Sequence, residues 1–232
     1  MTPLWPTLPL VAERTGQGGG QGRRRGVFVA FEGGDGAGKS TQVRLLTAAL
    51  ERAGRQVVVT RQPGGTPLGS QIRDLVLHGD HVSARAEALL FAADKAHHVD
   101  ELIRPTLERG IDVITDRYTD SSIAYQGAGR ALGSDEIHRL LDWAVDGLFP
   151  DLTIVLDVPP EVGRARRGST HDRLESEHDD FHARVRQHFL DLAAAAPDRY
   201  LVLDATAAPE SLHIAIAQRL GLASQLPGEA PA

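Results

Sequence analysis

The sequence contains no cysteine, few aromatic residues and no excess of basic residues. Without cysteine, neither a disulfide framework nor a thiolate metal site is possible. Aromatic residues make up only 5% of the 232 residues, so aliphatic side chains must fill the core of the single α/β domain that this length predicts. A net charge of -6 is unfavourable for a protein that coats a polyanion, and we therefore expect no nucleic-acid partner.

Targeting signals are also lacking. No segment has the charged start, apolar run and cleavage site of a secretory signal, and no apolar stretch approaches the roughly eighteen residues of a membrane helix. We expect no membrane partner and a cytoplasmic location. Residues 1–25 hold a glycine run and the triplet Arg23 to Arg25 without an apolar period, which predicts a flexible N-terminal tail. Residues 223–232 predict a second tail, at the C-terminus.

Between the tails, in residues 26–222, short apolar runs alternate with longer amphipathic segments, a pattern typical of a parallel sheet flanked by helices. The runs predict five strands at 27–31, 57–60, 111–115, 152–156 and 200–203. The predicted helices span 39–53, 69–77, 84–108, 134–145, 180–196 and 209–220. The concentrated charge of residues 163–177 predicts a mobile surface segment, a lid, rather than a core helix.

Residues 33–40, GGDGAGKS, match the phosphate-binding pattern GxxxxGK[ST] and lie between a predicted strand and a predicted helix. In such a loop Lys39 reaches the β and γ phosphates of ATP and Ser40 is a ligand of Mg²⁺. The predicted ATP-binding residues are Gly33, Gly34, Asp35, Gly36, Ala37, Gly38, Lys39, Ser40 and Thr41. The same loop occurs in nucleotide switches, but the sequence has no NKxD guanine-reading motif and lacks the extra lysine of partitioning ATPases.

Arginines stand where a phosphoryl-transfer enzyme needs them. A monophosphate acceptor is ionised at neutral pH because its second pKa is about 6, so cations and alignment are needed rather than a general base. Arg61 and Arg117 follow the second and third predicted strands, whose ends face the ligand in open α/β sheets. Further arginines fall in the charged segment, namely Arg164, Arg166, Arg167 and Arg173. Structural salt bridges and simple solvation are the alternatives for these residues.

Two aspartates end apolar strands and are candidates for the neighbourhood of Mg²⁺. We prefer Asp116, because Arg117 follows it directly, while Asp157 stands before Pro159 and Pro160 and is equally suited to cap a helix. The residues thus predict Asp116 and Ser40 as metal residues. The ten histidines show no metal-ligand spacing with carboxylates, apart from the pair His97-His98 and the loose set His171, Asp172, His178 and Asp179. We expect these to be solvated surface groups, and no zinc site is predicted.

A series of motifs, in order, resembles the thymidylate kinase family. They are VAFEGGDGAGKST, TRQPGGTPLGSQIRDLVL, LLFAADKAHHV, ITDRYTDSSIAYQG, PDLTIVLDVPPEVGRAR and DRLE, and they extend over most of the chain from Val27 to about Leu220. The resemblance implies the P-loop nucleoside monophosphate kinase fold, with a five-stranded parallel sheet and a lid. It also implies transfer of the γ-phosphate of ATP to dTMP, Mg²⁺ as cofactor and a homodimer.

The resemblance also implies roles for individual residues. Arg61 and Arg117 would bind the acceptor phosphate, Asp35 would lie near the sugar 3′-hydroxyl and the metal, Phe91 would stack on thymine, and Tyr125 would lie against the deoxyribose. Other residues would complete the acceptor site, namely Ser121, Ser122 and Gln126 at the base and Glu175 near the sugar. From the residues alone, helix packing is the alternative for Phe91 and a polar helix start for the serines.

Glycine at position 36, where one subgroup has an arginine, resembles the bacterial subgroup that supplies catalytic arginines from the lid. This makes Arg164, Arg167 and Arg173 candidates, beside Lys39 and Arg117.

Two positions depart from the family pattern: Gln62 replaces a glutamate, and Lys95 replaces an arginine that donates to the thymine carbonyl. Lysine lacks the planar two-pronged donor of arginine, so we expect weaker or altered base selectivity. The alternatives to a dTMP kinase are a nucleoside kinase, which needs a carboxylate base and fewer acceptor arginines, an ATPase switch, and a degenerate paralogue that binds nucleotides without turnover.

Overall fold

The computed structural model describes residues 24–166 and 172–223, and its centre is a five-stranded parallel sheet with the strand order β2-β3-β1-β4-β5. The strands are β1 (Phe28–Glu32), β2 (Val57–Arg61), β3 (Asp112–Asp116), β4 (Leu152–Asp157) and β5 (Tyr200–Asp204). The predicted α/β class and the five predicted strands are confirmed.

Every strand ends one residue later than its apolar run predicts, and that last residue is charged in each case. The residues concerned are Glu32, Arg61, Asp116, Asp157 and Asp204. Hydrophobicity alone marks only the buried part of a strand, whereas the backbone ladder continues to the edge where polar side chains are tolerated. The carboxyl edge of the sheet therefore carries a row of charged side chains, and two of them, Arg61 and Asp116, are paired in register.

Helices cover both faces of the sheet. Most of them lie within a residue or two of their predicted bounds. They are α1 (Lys39–Arg52), α2 (Pro67–Arg73) with its continuation Asp74–His78, α3 (Ala84–His98), α6 (Ser134–Ala144), α8 (Asp179–Ala195) and α9 (Pro209–Arg219). Helix α3 continues through Val99–Ile103 into α4 (Arg104–Glu108). Helix α2 begins two residues before its predicted start, because the Thr66 hydroxyl accepts a hydrogen bond from the Gly69 amide at 3.0 Å and Pro67 occupies the first turn.

Two helical segments were not predicted. Residues 119–129 form α5 (Thr119–Ser122) and its continuation Ile123–Gly129, and α7 (Pro160–Arg166) follows β4. Residues 163–166, at the start of the predicted lid segment, belong to this helix, because Pro160 begins it and it extends to Arg166. The segment also has a buried side chain, Leu174, which is 7% exposed.

The core lies on both sides of the central strands. Phe31 and Ile154 pack with Leu46 of α1 and Ile216 of α9 on one face, and all four side chains are fully buried. On the other face Phe28 packs edge-on against Tyr118, with ring centroids 5.0 Å apart. No helix within residues 24–166 and 172–223 is long and apolar enough to cross a membrane.

Both predicted tails fall almost wholly outside the described residues. Of the N-terminal tail, Arg24 and Arg25 are described, and Arg25 forms an ion pair with Asp151 at 3.1 Å. Of the predicted C-terminal tail, residue 223 alone is described.

Candidate active site

The phosphate loop connects β1 to α1 as its motif predicts. Gly38 precedes the helix with a φ of 91°, and the Lys39 ammonium donates to the carbonyl oxygens of Gly33 at 3.1 Å and Gly34 at 3.0 Å. Burial lowers the pKa of Lys39, and the positive charge of Arg117 lowers it further. A buried ammonium whose partners are backbone carbonyls can exchange them for phosphate oxygens without a large change in position.

Gly36, with a φ of 78°, lies backbone to backbone against Gly163 of α7. A Cβ at position 36 would collide with the Gly163 carbonyl, and one at position 163 would collide with the Asp35 carbonyl. The absence of side chains at both positions brings the lid helix into direct contact with the phosphate loop.

A cavity of about 240 Å³ lies at the carboxyl ends of β1, β2 and β3, beside the phosphate loop. All the residues that the sequence analysis assigned to the acceptor line it. They are Asp35, Arg61, Phe91, Lys95, Arg117, Ser121, Ser122, Tyr125, Gln126 and Glu175. The lining also includes the predicted Lys39 and Asp116. Residues separated by more than a hundred positions in sequence are therefore brought together in one concave site.

Arg117 is the central cation of this cavity. Its guanidinium donates to Asp35 Oδ1 at 2.5 Å, to Ser121 Oγ at 3.0 Å and to the Tyr125 hydroxyl at 3.3 Å, and it lies 5.1 Å from the centre of the Tyr125 ring. Burial by itself would lower the pKa of Arg117, but the carboxylate of Asp35 helps to raise it well above its ordinary value. The arginine is therefore a fixed positive charge at the end of β3.

The opposite end of the cavity is built from α3 and α5. Phe91 is 6% exposed, and the Lys95 ammonium lies 5.4 Å from the centre of its ring and donates to Ser122 Oγ at 2.9 Å. Burial lowers the pKa of Lys95 to about 8. The Gln126 side-chain amide donates to Glu87 Oε1 at 2.8 Å. An aromatic face beside a cation and serine hydroxyls matches a flat heterocycle with carbonyl groups.

Asp116 and Asp157, the two metal candidates, have different surroundings. Asp157 accepts hydrogen bonds from Arg186 at 2.6 Å and 2.9 Å, which shows it in a structural ion pair. Asp116 has a buried oxygen, Oδ1, without a hydrogen-bond partner in the described part of the chain, and it lines a groove together with Ser40. The described residues contain no group of three or more metal-binding side chains, which suits a cation held mainly by nucleotide phosphates and water.

The arginines of the charged segment do not line the cavity where they are described. Arg164 forms an ion pair with Asp179, and Arg173 forms one with the buried Glu87 while its Nε donates to the Val76 carbonyl at 2.9 Å. Arg166 donates to the Ala205 carbonyl at 2.8 Å. Arg167 lies outside the described residues. A catalytic role for the lid arginines stays a prediction.

Arg73 and Glu32, near the site, were not singled out from the sequence, and the expectation that His98 is a solvated surface group was wrong, because its side chain is fully buried. Arg73 lines the cavity and donates to the Pro63 carbonyl at 3.1 Å. His98 is buried and bonded to Gln62 at 2.9 Å and to Thr60 at 2.8 Å, and burial lowers its pKa to about 4. Glu32 is buried behind Arg117. A usable signal existed only for Glu32, an acidic residue that ends an otherwise apolar strand.

Comparisons with known proteins agree with this geometry. The family model for thymidylate kinase matches residues 31–216. A thymidylate kinase of Clavibacter michiganensis subsp. michiganensis is 56% identical over 198 residues, covering 84% of this chain and 94% of the relative. One of Bifidobacterium longum is 56% identical over 196 residues, covering 82% and 95%.

A solved structure gives the same result for the fold. The crystal structure of thymidylate kinase from Ehrlichia chaffeensis superposes with a TM-score of 0.70 at 33% identity, covering 84% of this chain and 99% of that one. The chain therefore belongs to the thymidylate kinase family, enzymes of dTTP synthesis that use ATP to phosphorylate dTMP to dTDP.

Proposed function

We propose that dTMP lies in the 240 Å³ cavity with its phosphate at Arg61, Arg73 and Arg117 and its thymine on Phe91. The observation that supports this orientation most strongly is Arg117, which Asp35 and Ser121 hold at the phosphate-loop end of the cavity. Phe91 and Lys95 lie together elsewhere in the lining and suit a base. Tyr125 and Asp35 then face the sugar between them, with Glu175 nearby.

In this orientation the acceptor phosphate needs no general base, because it is ionised at neutral pH. One of its oxygens attacks the γ-phosphorus of ATP, the bond from that phosphorus to the bridging oxygen breaks, and ADP leaves. Lys39, Arg61 and Arg117 are positioned to stabilise the negative charge that two polyphosphates bring together. Ser121, Ser122 and Gln126 complete the wall against which the nucleoside is held.

We extend the proposal to the lid subtype, in which Arg164 and Arg167 act on the transferred phosphate. Glycine at position 36 supports it, because the phosphate loop itself then offers no arginine. For Arg164 this role requires the ion pair with Asp179 to open, and for Arg173 the same role requires release from Glu87. Closure of a lid over two nucleotides also excludes water from the reacting phosphate.

Mg²⁺ is the proposed cofactor, and the residues present fit it. Asp116 offers an unpaired buried oxygen, Ser40 offers a hydroxyl at the start of α1, and Asp35 lies at the same end of the cavity. When bound with ATP, the ion neutralises phosphate charge. A protein site of one or two carboxylates and a hydroxyl is the usual arrangement for Mg²⁺ in such enzymes.

A homodimer in the cytoplasm is the remaining part of the proposal. Exposed leucines on the adjoining helical segments α2 and α3 support self-association: Leu68 is 43% exposed, Leu75 56% and Leu89 59%. Light scattering after size-exclusion chromatography tests it, and Leu89→Glu should yield a monomer if these residues form the interface. The cytoplasmic location is supported by the use of free ATP and dTMP as substrates.

The decisive assay follows ADP release from ATP and Mg²⁺ with dTMP, dUMP, thymidine or no acceptor in parallel. We expect turnover with dTMP to exceed the other three, with dUMP the nearest competitor because it differs from dTMP only by the missing methyl group on the base. Turnover with thymidine would favour a nucleoside kinase. Release without any acceptor would favour an ATPase switch, and no release at all a degenerate paralogue.

A further inference from the structure

Glu32 is a fully buried carboxylate directly behind the acceptor cavity. One of its oxygens, Oε1, accepts hydrogen bonds from the backbone amides of Tyr118 at 2.8 Å and Ser121 at 3.1 Å. The other, Oε2, accepts from the Ser121 hydroxyl at 2.6 Å. All three donors belong to the segment that follows β3, so Glu32 joins the end of β1 to the residues around Arg117.

The Ser121 hydroxyl connects Glu32 to the guanidinium. A serine hydroxyl has one proton to donate, and here Glu32 receives it. The oxygen lone pairs are then free to accept from Arg117 Nη1 at 3.0 Å. Glu32 thereby fixes the orientation of the hydroxyl that holds one branch of the guanidinium.

The backbone of Arg117 depends on the same strand. Arg117 has a φ of 67°, a left-handed conformation that is unfavourable for a residue with a side chain. Its amide donates to the Phe31 carbonyl at 2.9 Å, and its own carbonyl accepts from the Thr115 hydroxyl at 2.8 Å. The next amide, that of Tyr118, donates to Glu32. The last two residues of β1 therefore hold the chain on both sides of the strained position.

Charged side chains lie around Glu32, although its hydrogen bonds come from backbone amides and the Ser121 hydroxyl. Burial and the neighbouring Asp120 raise the pKa of Glu32 to about 7, against the opposing effects of Arg117, the Ser121 hydroxyl and the Tyr118 amide. Its charge also acts on Lys39, Lys95, Tyr125 and Tyr200. Arg117, Ser121 and Tyr118 favour the ionised form of Glu32, and they are the same residues whose positions Glu32 helps to fix.

We propose that Glu32 is a positioning residue for the acceptor phosphate: it directs Arg117 through the Ser121 hydroxyl and through the backbone of residues 117 and 118. This inference rests on the proposed binding of the dTMP phosphate by Arg117. Glu32 itself does not line the cavity and therefore has no direct part in the transfer.

The test is Glu32→Gln, assayed for kcat and KM with dTMP and with ATP separately. If the amide oxygen keeps the two backbone donors, the amide nitrogen faces Ser121 and donates to it, so the serine proton must turn towards Arg117. We expect kcat/KM for dTMP to fall about tenfold to a hundredfold, as for loss of a hydrogen bond to a charged group, and KM for ATP to change less than about threefold.

Ser121→Ala and the double variant separate the two routes. Ser121→Ala removes the hydroxyl but keeps the backbone donors, and it should lower kcat/KM for dTMP about tenfold. If Glu32 acts through Ser121, the double variant should lose less than the product of the single losses. Asp112→Asn is the matched control, because Asp112 accepts from the Val27 amide at 2.8 Å at the opposite end of β1, and its kinetics should stay within about threefold of wild type.

Each other outcome overturns the inference. Unchanged dTMP kinetics in folded Glu32→Gln would exclude positioning, and equal losses for ATP and dTMP would reveal a general structural role. Should Glu32→Gln fail to fold, Ser121→Ala decides, and wild-type kinetics in that variant would refute the serine connection. Failure of the proposed function would look different, because the wild-type enzyme or Arg117→Ala would then give the unexpected result.

Discussion

Arginines occur both in the acceptor wall, residues 117–126, and in the two described ends of the predicted lid, residues 163–166 and 172–177, but they are held in different ways. In the acceptor wall Asp35 and Ser121 hold Arg117 inside the cavity. In the lid the partners, Asp179 for Arg164 and Glu87 for Arg173, hold the guanidinium groups outside it. In the proposed site the first region is preorganised for the acceptor phosphate, whereas the second must exchange a carboxylate for a phosphate.

The difference follows from what positions each residue. Arg117 comes directly after a strand of the sheet, so the backbone ladder determines its place. Arg164 and Arg173 lie on a short helix and a turn, where ion pairs direct the side chains and, for Arg173, a hydrogen bond to the Val76 carbonyl is added. Residues placed by a sheet are in position before the substrate binds, whereas residues held by side-chain ion pairs must exchange partners to bind it.

The largest effect should come from the preorganised side. We expect Arg117→Ala to lower kcat/KM for dTMP by about a thousandfold, because a fixed charge at the reacting phosphates is lost. ATP binding, measured by titration without acceptor, should stay within about twofold. Arg139→Ala is a suitable control, since Arg139 is exposed and forms an ion pair with the exposed Glu136. An unchanged rate in Arg117→Ala would remove the basis of the comparison.

Phe91→Ala tests whether the proposed base-binding part of the cavity is as ordered as the part around Arg117. Stacking on a base contributes about 1–3 kcal/mol, so KM for dTMP should rise about tenfold to a hundredfold while kcat changes little. Phe91→Leu, which keeps the packing of α3, is the control for stability. If both variants had the wild-type KM, Phe91 would be a core residue without a binding role.

Arg164→Ala and Asp179→Asn test the lid side. If Arg164 acts on the transferred phosphate, its removal should lower kcat about tenfold with KM for dTMP nearly unchanged. Removing Asp179 frees the same guanidinium, so kcat should be maintained or should rise. Equal losses in the two variants would mean that the ion pair, rather than the free arginine, is what the enzyme needs.

The smallest effect concerns Lys95 and pH. Burial lowers the pKa of Lys95 to about 8, so the ammonium is present at pH 7 and is lost as the pH rises through that value. We expect kcat/KM for dTMP, which reports the free enzyme, to decline several-fold above about pH 8. In Lys95→Arg the guanidinium stays charged and the decline should disappear. A decline that persists in Lys95→Arg would assign the ionisation to another group.

The sequence predicts the sheet and the phosphate loop because both are local patterns. The unpredicted helix 119–129 is polar and rich in small residues, and it is buried only because α6 and α8 pack on it. The ion-pair partner of Arg173 could not be predicted from the sequence either, since Arg173 and Glu87 are 86 positions apart along the chain. Glu32 was overlooked because the apolar run ends at Phe31, although the strand continues to Glu32.

The contact of Gly36 with Gly163 couples the phosphate loop to α7. An arginine at position 36 would collide with the backbone of α7 unless that helix moved away. If the lid supplies the catalytic arginine, as proposed, transfer of that arginine to the phosphate loop therefore requires changes at two sites together. A chimera that receives only a phosphate loop with an arginine at position 36 should have a displaced α7.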